Sequence, residues 1–94
     1  MTHPAIALPR PDPRVTARTL ADGAVLFHAE SETYFGLNPT GTVVWEAIVA
    51  REPDAHAAVD RLAAAHPDVD RDAIAADVRA LLDDLARAGL VVAP

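Results

Sequence analysis

At Asn38-Pro39 the chain changes the rhythm of its apolar residues, and this switch constrains the fold more than any other feature of its 94 residues. Upstream lie short runs rich in branched and aromatic side chains. Downstream, apolar residues recur every three or four positions. The two patterns need different backbones, because strand side chains alternate between faces while helical ones return to a face every 3.6 residues. Asn38 suits an N-cap, since its side-chain oxygen can take up a free amide of the first turn. Pro39 suits the first helical position, where a missing N–H costs nothing. Strands are expected before this point and helices after it.

Three strands are legible upstream. Val15 to Leu20 alternates loosely, and Asp22-Gly23 is a dipeptide that accepts the positive φ angles of a tight hairpin turn. Ala24 to His28 follows, then a polar Glu30-Ser31-Glu32 break, then Thr33 to Leu37. Short links make these an antiparallel meander with the second strand in the middle. Residues 1–14 carry Pro4, Pro9, Pro11 and Pro13, so they are expected to form an extended, mobile arm, whose Ile6 and Leu8 could dock on the core. Residues 15–94 are expected to form a single domain.

Downstream, Val44, Trp45 and Ile48 share a helical face with Gly41. A second helix starts at Pro53-Asp54, presents Ala55, Ala58, Val59, Leu62 and Ala63, and ends at His66-Pro67. Asp70 caps a third and longest helix with a stripe of Ile74, Val78, Leu81 and Leu85, stopped by Gly89. A short apolar tail, Leu90 to Val92, is left to pack under the helices or to join the sheet. Three strands cannot stand alone and must bury one face on the helices. The expected fold is α+β and winged-helix-like, a three-stranded antiparallel sheet followed by three helices.

Composition narrows the function. With 21 alanines and 4% aromatics, the core must be mainly aliphatic. The net charge is -6, and every basic residue is Arg. That balance opposes a phosphate backbone, so nucleic acid is not an expected partner. Without cysteine there is no disulfide, thiol nucleophile or thiolate metal site. No apolar run approaches the roughly 20 residues of a membrane span, and the N-terminus lacks the pattern of a secretory signal. A cytoplasmic protein without membrane attachment is expected.

Catalysis finds little support. His3, His28, His56 and His66 lack the spacing of convergent metal ligands, and His28 reads as a packing residue at a strand end. Asp83 and Asp84 are helix neighbours about 100° apart and cannot face one another across a pocket. Ser31 has no local base, and Gly36 and Gly41 do not match a phosphate-binding loop. No catalytic residue, metal or cofactor is expected. Asp77, Ala80, Leu81 and Asp84 instead form a strip beside the core stripe, which is either an ordinary core boundary or an acidic, partly apolar ledge for a basic ligand. The third strand ends the meander without the Lys, Pro or inward charge that blunts most sheet edges. Either the tail at 90–92 or the N-terminal arm covers it, or it can accept an extended peptide as a fourth strand.

The segments Asp22-Gly23-Ala24-Val25-Leu26, Tyr34-Phe35-Gly36-Leu37-Asn38-Pro39-Thr40-Gly41 with Val44-Trp45, and Leu81 to Val91 together resemble the PqqD family. These are small domains that recognise leader peptides of ribosomally made, post-translationally modified peptides. The stand-alone size and the N-P-T-G turn resemble members of lasso-peptide pathways. The resemblance implies a non-catalytic adaptor that binds a precursor's leader as an added strand between the third strand and the third helix. It also implies a leader peptidase and an ATP-dependent cyclase as the enzymes served. Carried onto this chain, the peptide-binding set is Glu32, Thr33, Tyr34, Phe35, Gly36, Asp77, Ala80, Leu81 and Asp84. The backbone of 33–36 would supply ladder bonds, Tyr34 or Phe35 with Leu81 an apolar pocket, and Asp77 and Asp84 contacts to basic leader residues. The loop Ala29-Glu30-Ser31-Glu32 departs from the family in lacking its common glycine. A winged-helix DNA-binding regulator is the alternative, opposed by the acidic third helix. A domain that self-pairs through the same edge is a third reading.

Overall fold

The computed structural model describes residues 6–94; His3 and Pro4 lie outside them. The elements in order are β1 (Arg10–Pro11), β2 (Val15–Leu20), β3 (Gly23–His28), β4 (Thr33–Leu37), α1 (Pro39–Val49), α2 (His56–Ala65), α3 (Arg71–Arg87) and β5 (Val91–Val92). β2, β3 and β4 form an antiparallel sheet with β3 in the centre, and the three helices follow it. The α+β winged-helix-like architecture expected from the sequence is present.

The caps of α1 and α3 are those the sequence announced, whereas α2 begins at His56, after the expected Pro53-Asp54 start, with Ala55 at its N-cap and no side-chain cap. The Asn38 side chain accepts from the Gly41 amide at 2.7 Å with Pro39 at the first helical position. Asp70 caps α3, and Gly89 follows that helix with φ +74°. β3 supplies the inner sheet face through Ala24 and Leu26, which pack with Val44, Ala47 and Ile48 of α1. Val59 and Leu62 of α2 and Ile74, Val78 and Leu85 of α3 complete the core.

The proline-rich segment is fastened to the domain from Ile6 onward. Leu8 is 3% exposed, and Ile6 packs on the core. The Leu8 amide donates to the Pro53 carbonyl, the Ala55 amide to that of Ile6, and the Asp12 amide to that of Leu90. Prolines at 9, 11 and 13 leave the amides between them to do the bonding, which suits a strand paired on one side only. The tail finds its partner here, with Arg10 opposite Val92 and Pro11 opposite Val91.

Asp12, 4% exposed, anchors this seam. Its carboxylate accepts from the Arg14 backbone amide at 2.8 Å and from the guanidinium at 3.0 and 2.8 Å, while Arg14 also binds Glu30. The Arg14 side-chain hydrogen bonds, then its amide, hold the Asp12 carboxyl well below the usual carboxylate range. A group more acidic when folded stabilises the fold fully above its unfolded pKa of about 4 and loses that contribution as pH falls below it. Urea midpoints are therefore expected to fall between pH 5 and pH 2, with Asp12→Asn showing a shallower slope; parallel slopes for the two proteins would refute the assignment.

One turn differs from the sequence reading. Leu20 pairs with Gly23, so the two-residue loop is Ala21-Asp22, and neither takes a positive φ. Gly23 is the first residue of β3 instead, with φ +152°.

Candidate functional site

β4 is an open edge among the described residues. The tail pairs with β1 rather than with β4, and β4 has β3 on one side only. The direction of its free backbone groups follows from the ladder. The Ala29 amide donates to the Arg14 carbonyl, so the odd residues of β3 bond toward β2 and the even ones toward β4. With His28, Leu26 and Ala24 opposite Thr33, Phe35 and Leu37, those three β4 residues spend their amides and carbonyls on β3. Tyr34 and Gly36 turn theirs outward.

Side chains alternate in step. Phe35 and Leu37 face the helices, whereas Tyr34 lies on the opposite sheet face, 71% exposed, its ring 4.7 Å from that of Phe27. Inside the edge a groove of about 450 Å³ runs between β4, the start of α1 and α3. Phe35, Gly36 and Leu37 line one wall, Asn38, Thr40, Gly41 and Val44 the end, and Asp77, Val78 and Leu81 the other wall. Gly41 lets the first turn of α1 sit close under the end of β4, because a Cβ there would meet Leu37 Cδ2 at 3.2 Å and the capping Asn38 Oδ1 at 3.3 Å. The groove is mixed in character: Phe35, Leu37, Val44, Val78 and Leu81 give it apolar walls, while Asn38, Thr40 and one carboxylate, Asp77, bring polar groups to it.

Of the residues singled out in the sequence, Phe35, Gly36, Asp77 and Leu81 come together around this groove. Glu32 and Thr33 are exposed at the head of β4, and Tyr34 is on the far face. Ala80 and Asp84 are exposed on α3 outside the groove lining, and Asp84 lies 3.8 Å from Arg87. The helix flank facing β4 is the one carrying Asp77 and Leu81, while Arg79 is not part of it. The sequence reading missed Val44 and Val78 as groove residues, since buried helical positions read as core. Asn38, Thr40 and Gly41 were visible as a turn, but nothing local showed that the turn closes a groove.

The hairpin before β4 is tied from within. His28, 6% exposed, accepts at Nδ1 from the Glu30 and Ser31 amides, both at 3.2 Å. The Glu32 amide donates to the His28 carbonyl at 2.8 Å, and Glu32 takes φ +56°, the conformation a glycine would adopt more easily. β4 accordingly starts at Thr33 even without the glycine. Glu32→Gly is expected to stabilise the domain by about 0.5–1 kcal/mol, the left-handed penalty less the added chain entropy. Thermal unfolding measures it, and a lowered Tm would contradict it.

A winged-helix-like domain with an unpaired strand above a partly apolar groove defines a class, that of small binding domains shaped to receive an extended chain along a sheet edge. The particular family follows from comparison: the chain belongs to the PqqD family, whose model, described as coenzyme PQQ synthesis protein D, matches residues 23–91. No curated protein sequence matches significantly. Among solved structures, the chain is similar to TbiB1 in complex with the TbiA(beta) leader peptide. That match has 29% identity and a TM-score of 0.76, covering 87% of this chain and 93% of the other. It also shares its fold with a lasso peptide synthetase B1 complexed with the leader peptide. There the identity is 20% and the TM-score 0.75, over 88% of this chain and 95% of the other.

Proposed function

We propose that this protein is a non-catalytic cytoplasmic adaptor of lasso-peptide biosynthesis. It binds the leader of a ribosomally synthesised precursor peptide as a fourth strand on β4, in the groove against α3. It then presents the precursor to a leader peptidase and a cyclase. The observation that carries the reading is the unpaired edge at Tyr34 and Gly36 beside the partly apolar groove. Family membership and the leader-bound neighbours support it.

In this reading the outward amides and carbonyls of Tyr34 and Gly36 supply the ladder. Phe35 and Leu81 hold an apolar leader side chain, and Asp77 attracts a basic one. Thr33 and Glu32 flank one end of the added strand, and Ala80 and Asp84 extend the same helix surface. The exposed carboxylates of α3, among them Asp72, Asp77, Asp83 and Asp84, oppose docking of that helix on DNA. No helix among the described residues is long and apolar enough to cross a membrane.

Isothermal titration with the synthetic TbiA(beta) leader tests the reading. Saturation at or below tens of micromolar is expected, about -6 to -7 kcal/mol, with no heat from a scrambled peptide. Equal, unsaturated heats from both peptides would overturn it.

A further inference from the structure

We propose a second subsite on the outer face of β4: a notch over Gly36, walled by Tyr34, Phe27 and Val25, that takes a large apolar side chain from the same added strand. The inference rests on the peptide-binding reading above and adds a requirement to it. The sequence bound carries two adjacent large apolar residues, one for the groove and one for the notch.

The geometry of strands places a guest side chain on this side. A peptide added to β4 alternates its side chains between faces, so whatever residue fills the groove beside Phe35 has neighbours on the outer face. On that face Phe27 lies opposite Tyr34, and Val25 opposite Gly36. Phe27 and Val25 are half-buried, and Tyr34 is largely exposed. Gly36 interrupts the row, and a Cβ built there has nothing within 4 Å. The free amide and carbonyl of Gly36 would pair with the guest residue whose side chain falls over this gap. A large side chain covering a cross-strand glycine recovers contact area that the glycine cannot provide, and aromatic residues do so best. Tyr34 and Phe27, tilted by 43°, provide ring faces and edges beside the gap. The outer sheet face holds Thr16, Arg18 and Leu20 on β2 and no carboxylate on its strands, so an apolar guest meets no buried negative charge.

The test is selection of phage-displayed random peptides, long enough to span β4, on the immobilised full chain. Anisotropy titrations of the selected peptides follow, against wild type, Tyr34→Ser and Leu81→Ala. The expected winners carry adjacent large apolar residues. Replacing one of the pair with Ala should weaken binding to wild type about 10-fold but to Tyr34→Ser less than about 2-fold. Replacing the other should show the same coupling to Leu81→Ala instead. Gly36→Val, which fills the notch from the protein side, gives a second reading should Tyr34→Ser fail to fold; it should weaken selected peptides while sparing those with Ala at the notch position. Peptides that bind through Leu81 but are indifferent to Tyr34→Ser and Gly36→Val overturn the notch alone. Failure to select any peptide, or binding that ignores all three substitutions, overturns the notch together with the peptide-binding reading.

Discussion

Gly36→Pro is expected to weaken leader binding by about 10- to 100-fold while the domain stays folded. The outward amide of Gly36 is one of the donors a guest strand must use, and proline removes it. Because the guest carbonyl is left without a donor, the loss is that of an unsatisfied group, about 1–3 kcal/mol, rather than the smaller net worth of an ordinary hydrogen bond. That range is about one to two decades in affinity. The fold should tolerate the change because this amide is not part of the β3–β4 ladder, and proline is accepted on strand edges. Gly36→Ala is the matched control, since its methyl enters open space and its amide remains. Phe35→Pro, one residue earlier, should instead unfold the sheet, because that amide bonds to Leu26. Titration calorimetry and thermal melts on the three variants decide the matter. If Gly36→Pro binds like wild type, the peptide does not use this edge.

The contrast between residues 35 and 36 also separates what the sequence could reveal from what it could not. Strand limits, the Asn38 cap, the Asp70 cap and the Gly89 stop were legible because each rests on chemistry within a few positions. The stripe of α3 was legible because its period is 3.6, and that stripe carries Leu81 to the groove. The parity of β4 was not, since it depends on a bond between Arg14 and Ala29 across the sheet. The same holds for the pairing of Arg10–Pro11 with Val91–Val92, contacts between the two ends of the chain. Proline density pointed to an extended, mobile arm at residues 1–14, but said nothing about which amides it left free or that those from Leu8 onward would bond to the domain. Nothing in the sequence set Asp12 apart, because its role depends on Arg14 closing around it in the folded chain. Ala80 and Asp84 mark another limit of helical spacing: it puts them on one strip with Leu81 but does not tell where the groove lining ends, and they lie outside it.

Gly23→Ala should produce the largest loss of stability of any glycine substitution, at least about 3 kcal/mol. The sequence marked Gly23 as a turn residue, yet the turn is Ala21-Asp22, and the demand on Gly23 comes from elsewhere. A Cβ at this position would sit 2.0 Å from the Leu37 carbonyl oxygen and 3.1 Å from its carbon, both backbone atoms. With φ at +152°, an L side chain is strained even before the overlap counts. Neither flexible side chains nor solvent can absorb that contact, so the junction of β4 with α1 must move. The expected drop in Tm is at least about 12 °C for a domain of this size. Gly89→Ala, with φ +74° but open space around its Cβ, should cost only about 1 kcal/mol, the left-handed penalty alone. A Gly23→Ala protein as stable as Gly89→Ala would show that the close approach to Leu37 relaxes freely. The same displacement reaches the groove, because Leu37 and Asn38 form part of its rim. Any fraction of Gly23→Ala that remains folded should therefore bind leader more weakly than wild type. Gly36→Ala, in contrast, should leave both stability and backbone docking close to their original values.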